Sequence, residues 1–239
     1  MQKLNNEWSE LHYMALEKFI DHTLLKADAS TAVIEKLCKE ASDNHFATVC
    51  INPVYVKKAS ELLQDTEVKV CTVIGFPLGA TLTNVKIFEA KQALQDGATE
   101  LDYVINIGDI KNGEFNNVKK EMASFIALKE DNPNLVIKVI LETCYLTSKE
   151  VSKVCELAKE TKIDFVKTST GFGPGGATED TVSLMKKIVG DAVEVKASGG
   201  IRTTADAEKY IKLGATRIGT SNGVAIVNLT EETAASSWY

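Results

Sequence analysis

The chain has 239 residues, 44% of them hydrophobic and 25% charged, and its formal net charge is −6. That composition describes a globular protein with enough apolar residues for a full core, and the acidic balance excludes long-range attraction to nucleic acid or to an anionic membrane surface. No apolar stretch approaches the ~20 residues of a membrane span, and the N-terminus lacks the apolar segment of a signal peptide.

Met14 opens "MALEKFIDHTLL", so residues 1–13 are expected to be an extension ahead of the folded unit. The first strand is expected within "FIDHTLL" at 19–25, preceded by a short extra helix. Ile34, Leu37, Cys38 and Ala41 then follow the i, i+3, i+4, i+7 spacing of a helix with one apolar face. Strands follow at 47–51 ("ATVCI"), 68–74 ("VKVCTVI"), 100–106 ("ELDYVIN") and 135–142 ("LVIKVILE"). A helix over Val151, Val154, Cys155 and Ala158 has a clean start: Thr147 and Glu150 form a capping box, with Leu146 and Val151 as its hydrophobic staple. The last strands are 164–169 ("DFVKTS"), 193–198 ("VEVKAS") and 216–221 ("TRIGTS"). Gly97, Gly190 and Gly214 stand where helices end just before strands.

Alternating strands and helices without an interrupting linker imply a parallel sheet covered by helices. Eight strands favour closure, so the expected fold is α/β: a single (β/α)₈ barrel over 14–227, with 228–239 as a C-terminal tail. The five cysteines, Cys38, Cys50, Cys71, Cys144 and Cys155, are scattered, with no C-x-x-C pair. Neither a zinc site nor a disulfide framework is implied, and a reducing, cytoplasmic setting is expected.

In such a barrel the chemistry gathers at the C-terminal strand ends. Lys167 and Lys196 both stand late in their strands, within apolar runs that do not suit a charge. Two ammonium groups crowded in a partly dry pocket disfavour each other's protonation, which would leave one amine neutral and able to attack a carbonyl. The competing reading is two snorkelling lysines at equivalent places in a repeated unit. Asp102, on an otherwise apolar strand, needs a cationic partner, and either lysine would serve. That pair is equally well a structural one. Lys138 and Glu142 also point inward on this pattern, with no role assigned.

Glycine-rich turns follow the last three strands: "STGFGPGG", "SGGIRT" and "GTSNGVAIV". Loops of this kind after late barrel strands cradle phosphate through backbone N–H groups. The candidates are Thr170, Gly171, Gly199, Gly200, Gly219, Ser221 and Asn222. His12, His22 and His45 are the only histidines, and none lies late in a clear strand, so metal catalysis is not expected. His22 reads as a hydrogen-bonded structural residue. Cys50, near a strand end, is either a ligand contact or a small buried apolar residue.

"IDHTLL", "VCINP", "ELDYVINIG", "FVKTSTGFG", "VKASGGIRT" and "RIGTSNGV", in this order from about residue 14 to about 227, resemble the deoxyribose-phosphate aldolase family. The resemblance implies a class I, metal-free and cofactor-free aldolase. Such enzymes reversibly cleave 2-deoxy-D-ribose 5-phosphate to acetaldehyde and D-glyceraldehyde 3-phosphate. By match to the family motifs, Lys167 is the Schiff-base lysine and Lys196 the second lysine that favours its neutral form and relays protons. Asp102 is the acid/base that works with Lys196 through a water, and Asp21 and Thr23 lie near the substrate hydroxyls. A homodimer or homotetramer is also implied. Two features depart from or vary within the family pattern. Asn222 stands where some members have a second serine, and the chain ends "SSWY", where some members have a tyrosine that reaches the site. The rivals are another phosphosugar barrel enzyme, a pyridoxal-phosphate enzyme using Lys167, and a non-catalytic sensor of phosphorylated ligands.

Overall fold

A computed structural model describes residues 16–228. Eight parallel strands close into a barrel in simple sequential order, each hydrogen-bonded to the next and β8 back to β1. They are β1 (Ile20–Leu24), β2 (Thr48–Ile51), β3 (Lys69–Ile74), β4 (Glu100–Val104), β5 (Val136–Ile140), β6 (Phe165–Lys167), β7 (Glu194–Ser198) and β8 (Arg217–Thr220). The helices between and after them are α1 (Thr31–Asp43), α2 (Val56–Leu63), α3 (Thr83–Gln95), the short α4 (Ile107–Lys111), α5 (Phe115–Ile126), α6 (Ser148–Thr161), α7 (Glu179–Val189), α8 (Thr204–Lys212) and the five-residue α9 (Gly223–Val227). All eight expected strands are present. No helix among the described residues is long and apolar enough to cross a membrane.

The period-two alternation of a strand sorts these residues into two layers. Ile20, Val49, Ile51, Val70, Leu101, Ile137, Val139, Val166, Val195 and Ile218 point outward, into one apolar layer shared with the inner faces of the helices. Each such side chain contributes about 1.5–3 kcal/mol on burial. The inward positions are different in kind. Asp21, Glu100, Asp102, Lys138, Lys167 and Lys196 are all buried there, beside a small apolar cluster of Leu25, Cys50, Cys71 and Val73. A strand of Val and Ile on one side and charge on the other is what the sequence encodes.

Two strands are shorter than the apolar runs suggest. The ladder continues past β5 through Leu141 N–H and Thr143 N–H, which donate to Lys167 and Thr168 carbonyls, but Glu142 takes a left-handed conformation (φ 53°) and breaks the pleat. Past β6, the Thr168 hydroxyl bonds the Ser198 carbonyl and accepts from Ser198 N–H, replacing ladder bonds with side-chain ones. Both breaks turn the chain over the C-terminal mouth of the barrel. The expected glycines after α3, α7 and α8 do adopt positive φ, at Gly97, Gly190 and Gly214.

The start of α6 is as expected: Thr147 Oγ1 accepts from Glu150 N–H, and Glu150 accepts from Thr147 N–H at 2.6 Å. Ahead of β1 the described chain has only a 3₁₀ turn, Leu16–Phe19. The expected extension at 1–13, the extra N-terminal helix before that turn and the tail beyond residue 228 lie outside the described residues. Thr147→Ala is expected to cost about 1 kcal/mol and to lower the melting temperature by about 2–4 °C. A thermal scan with an unchanged midpoint would show that the cap contributes nothing.

Candidate active site

Strand register sets the site. Lys167 on β6 is paired in register with Lys196 on β7, Asp102 on β4 with Lys138 on β5, and Lys196 with Arg217 on β8. These long side chains therefore start at nearly one level and meet at the barrel axis. Lys167 Nζ donates to Asp102 Oδ2 at 2.8 Å, and Lys196 Nζ donates to the same oxygen at 2.7 Å. The two nitrogens lie no farther apart than the sum of those two distances. Lys138 Nζ takes the other oxygen, Oδ1, at 2.9 Å. Proximity of the two lysines, read from sequence, is thus observed, and so is Asp102's cationic partner. No intervening water is needed between Asp102 and Lys196, since the contact is direct.

Asp21 completes the far side. It accepts a hydrogen bond from Lys196 on one oxygen, and from Arg217 Nη1 (2.7 Å) and the Thr48 hydroxyl (2.7 Å) on the other. Arg217 also reaches Glu100 at 3.0 Å, and Glu100 pairs with Lys138.

Burial alone would push these carboxyls up. Lys138, Lys167 and Lys196 outweigh it at Asp102 and hold its carboxyl well below the usual carboxylate range. At Asp21, Arg217, Lys196 and Lys138 likewise outweigh burial and drive it down. Burial would drive the Lys196 amine down in turn, yet Asp102 and Asp21 keep it well above the ordinary lysine value. Lys196 is a fixed cation beside Lys167.

The other expected residues divide. Cys50 on β2 is buried and faces its register partner Cys71 on β3, whose thiol donates to Asp102 Oδ1 at 3.2 Å. Its thiol is pulled below the usual value by a hydrogen bond shared with Cys71, against burial, and by Lys196. It therefore belongs to the polar interior rather than to the apolar layer. Thr23 is also inward-facing, its hydroxyl donating to the Asp21 carbonyl at 2.8 Å. Thr170 is held by Glu142, which accepts from both its N–H and its hydroxyl. His22 points outward, bonded to Glu40 at 2.9 Å and packed on Phe46, as a structural residue would be.

Cys50, Cys71 and Asp102 have ligand atoms within 4.8 Å of one another, the one group among the described residues with metal-ligand proximity. Three ammonium groups already surround that carboxylate. Their field opposes a divalent cation there.

The glycine loops converge on the same mouth. Gly219 pairs in register with Ser198 and with Asp21, and a Cβ on it would sit 2.9 Å from Ser198 Cβ and 3.1 Å from Lys196 Cε. A Cβ on Gly176 would lie 2.2 Å from the Gly199 carbonyl oxygen. The loop after β6 can therefore lie against the loop after β7 only without side chains. Ala177 N–H bonds the Ser198 carbonyl at this crossing. Gly171, Gly199 and Gly200 all have positive φ. A Cβ built on Gly200 would meet nothing within 4 Å, so that backbone faces open space. Ser221 and Asn222 close the arc at the start of α9, where the exposed Ser221 hydroxyl bonds Asn222 Oδ1 at 3.2 Å. These residues surround the strand ends above Lys167. A separate groove of about 530 Å³, lined by Lys69, Thr99, Glu100 and Leu135 among others, opens at the strands' N-terminal ends. Parallel barrels do not conduct their chemistry on that face.

Sequence reasoning missed Glu100 and Arg217, and gave Lys138 no role. The signal was available: Glu100 and Asp102 are two apart on one strand, which puts them on one face, and Arg217 and Gly219 repeat that spacing on β8.

Comparison with known proteins adds an independent line. Residues 16–228 match the family model described as DeoC/LacD family aldolase. A deoxyribose-phosphate aldolase from Carboxydothermus hydrogenoformans is 59% identical over 213 residues, covering 89% of this chain and 93% of the relative. One from Thermoanaerobacter sp. is 56% identical over 214 residues, covering 90% and 96%. Among solved structures, the tetrameric deoxyribose phosphate aldolase from Aeropyrum pernix superposes with a TM-score of 0.83 at 36% identity, covering 90% of this chain and 91% of that one.

The depressed carboxyls predict an acid-sensitive interior. Above about pH 4 an aspartate is ionised even in the unfolded chain, so the stability these ion pairs add is fully present there. It is lost as pH falls below that value and through the lower folded-state values of Asp21 and Asp102. Asp21→Asn leaves Lys196 and Arg217 each short of a partner. It should lose about 3–5 kcal/mol at neutral pH and show a shallower decline below pH 4. Urea titrations at several pH values check both, and parallel acid limbs for the two proteins would reject the assignment.

Proposed function

The chain belongs to the DeoC/LacD family of aldolases, and from that membership and the interior geometry we infer that it is a class I deoxyribose-phosphate aldolase. It reversibly cleaves 2-deoxy-D-ribose 5-phosphate to acetaldehyde and D-glyceraldehyde 3-phosphate, a step in deoxyribose phosphate breakdown. The observation that carries the mechanism is the shared oxygen of Asp102, which puts Lys167 beside the fixed cation Lys196.

Lys167 is the nucleophile. Of the three buried lysines on the axis it alone keeps some exposure (3%), at the last residue of its strand and facing the mouth. Its neutral amine adds to the acetaldehyde carbonyl, and loss of water gives an iminium. That cation withdraws electrons from the adjacent carbon, a proton leaves, and an enamine forms. The enamine carbon attacks the aldehyde of glyceraldehyde 3-phosphate, the proton returns to the new alkoxide, and hydrolysis frees Lys167. Asp102, whose Oδ2 accepts from both Lys167 and Lys196, moves these protons together with Lys196. A positioned proton carrier of this sort contributes about 10²–10⁴-fold.

Gly171, Gly199, Gly200, Gly219, Ser221 and Asn222 hold the phosphate through N–H groups and the serine and amide side chains. Thr170, Thr23, Asp21 and Cys50 line the path between phosphate and amine. Holding the acceptor by its phosphate fixes its aldehyde relative to the enamine, and orientation of that kind supplies several kcal/mol of the rate. The relative from Aeropyrum pernix is a tetramer. A homo-oligomer in the cytoplasm is the corresponding reading for this chain, supported by five cysteines that all remain free thiols.

Borohydride reduction in the presence of acetaldehyde should leave a two-carbon adduct on Lys167, located by peptide mass mapping. Turnover of deoxyribose 5-phosphate should vanish in Lys167→Leu, which would also exclude a non-catalytic sensor. Lys196→Leu should fold yet lose about 10²–10⁴-fold in turnover. Full activity with an unchanged pH profile would remove Lys196 from the mechanism.

A further inference from the structure

Six ionic groups in the barrel interior close into a ring of alternating sign. Glu100 pairs with Lys138, Lys138 with Asp102, Asp102 with Lys196, Lys196 with Asp21, Asp21 with Arg217, and Arg217 returns to Glu100. Every carboxylate lies between two cations and every cation between two carboxylates, so the ring is neutral by itself. Lys167 stands outside it. Among the described residues its ion pair is with Asp102 Oδ2 alone, an oxygen Lys196 also occupies, while Lys138 holds Oδ1.

A buried cluster with one cation in excess is penalised, because desolvation disfavours net charge. Relief comes most cheaply from the proton whose loss disturbs the fewest ion pairs. Discharging Lys138 or Lys196 would weaken two pairs each, and Arg217 does not discharge at all. Discharging Lys167 weakens one, at a carboxylate that keeps two other cations.

We propose that Glu100, Lys138 and Arg217 are positioning residues that fix the charge of this ring and so select Lys167 as the amine that gives up its proton. The proposal rests on the reading of Lys167 as the Schiff-base lysine. Against burial, Asp102 holds the Lys138 amine far up and Asp21 does the same for the Arg217 guanidinium, as members of a closed ring should be held.

Among the described residues, the other groups facing Lys167 make no ion pair with it. Cys71, from β3, is pushed well up by burial and stays a neutral thiol that donates to Asp102. Cys50, from β2, shares a hydrogen bond with Cys71. Glu142, in the turn after β5, is satisfied by Thr170 and the Cys144 thiol, and its carboxyl is pushed up by burial. Its field reaches Lys167, but no ion pair joins them among the described residues.

The test is borohydride trapping of acetaldehyde on Lys167, read by mass across a range of pH. Lys138→Met removes a ring cation, so Lys167 keeps its proton more tightly and the trapping midpoint should move alkaline by about one unit or more. Glu100→Gln removes a ring carboxylate and should move the midpoint to lower pH. Lys138→Arg keeps the charge and should restore the wild-type midpoint. Wild-type midpoints in both Lys138→Met and Glu100→Gln, with each shown folded by circular dichroism, would overturn the proposal. If neither folds, the wild type decides through NMR titration of isotope-labelled lysine side chains. A single buried amine titrating alone, missing from the Lys167→Leu spectrum, supports the ring. Joint titration of Lys138 or Lys196 with it overturns the ring. Absence of any adduct on wild-type Lys167 at every pH would sink the aldol mechanism itself and the ring proposal with it, an outcome distinct from shifted or unshifted midpoints.

Discussion

The interior of this barrel depends on one carboxylate accepting three ammonium groups. Asp102 binds Lys167 and Lys196 through one oxygen and Lys138 through the other, all within 2.9 Å. Taking a single carboxylate out of water costs several kcal/mol, and a lone pair of opposite charges often fails to recover it. Three cations on two oxygens outweigh burial at Asp102 and hold its carboxyl well below the usual range. The same arrangement leaves Lys167, whose one ion pair among the described residues is with an oxygen that Lys196 also occupies, with less than a full carboxylate. An under-compensated amine is one that can become a nucleophile.

Charge of this density inside a fold is tolerable only where stability comes from elsewhere. The outward faces of the strands supply it: Val and Ile positions from β1 to β8 join the helices in a single apolar layer, while the inward positions are left to function. Because strand side chains alternate strictly, one substitution pattern serves both layers without compromise. Closure matters equally. With no sheet edge to exchange or slip, the register that sets Lys167 beside Lys196 is fixed by the whole circle of strands.

The fold was legible because the chain repeats one unit. Apolar β-branched runs, cap residues such as Thr147 and stop glycines such as Gly97 recur at nearly constant spacing, and each is a local signal. Lys167, Lys196 and Asp102 were legible for the opposite reason: a charge in an apolar run violates its surroundings and draws notice. Glu100 and Arg217 escaped because they stand at strand starts, where charged residues usually meet solvent, and only their spacing of two from Asp102 and Gly219 assigns them to the inward face. The close crossing of Gly176 on Gly199 was hidden as well, since it depends on how two loops far apart in sequence meet in space. Direct contact of Asp102 with Lys196, in place of a bridging water, is a matter of side-chain reach that no pattern encodes.

The two kinds of base in the interior are not equivalent. Arg217 stands at the start of β8, bridging Asp21 and Glu100 through one guanidinium nitrogen and reaching Glu100 again through the other. A guanidinium is planar, forks to two acceptors and never discharges in a protein, so this end of the cluster is permanently cationic. Phe165 lies beneath both Arg217 and Lys138, at 5.5 and 5.8 Å, and supports two cations with a ring face where a third carboxylate would have added unwanted negative charge. Lys196, the register partner of Arg217, instead brings a single ammonium to Asp21 and Asp102. Replacing Arg217 by lysine would keep the charge but give up the fork. Replacing Lys196 by arginine would keep the charge but put a planar fork where one compact ammonium meets two carboxylates. Arginine and lysine are therefore not interchangeable at these two corners of the ring.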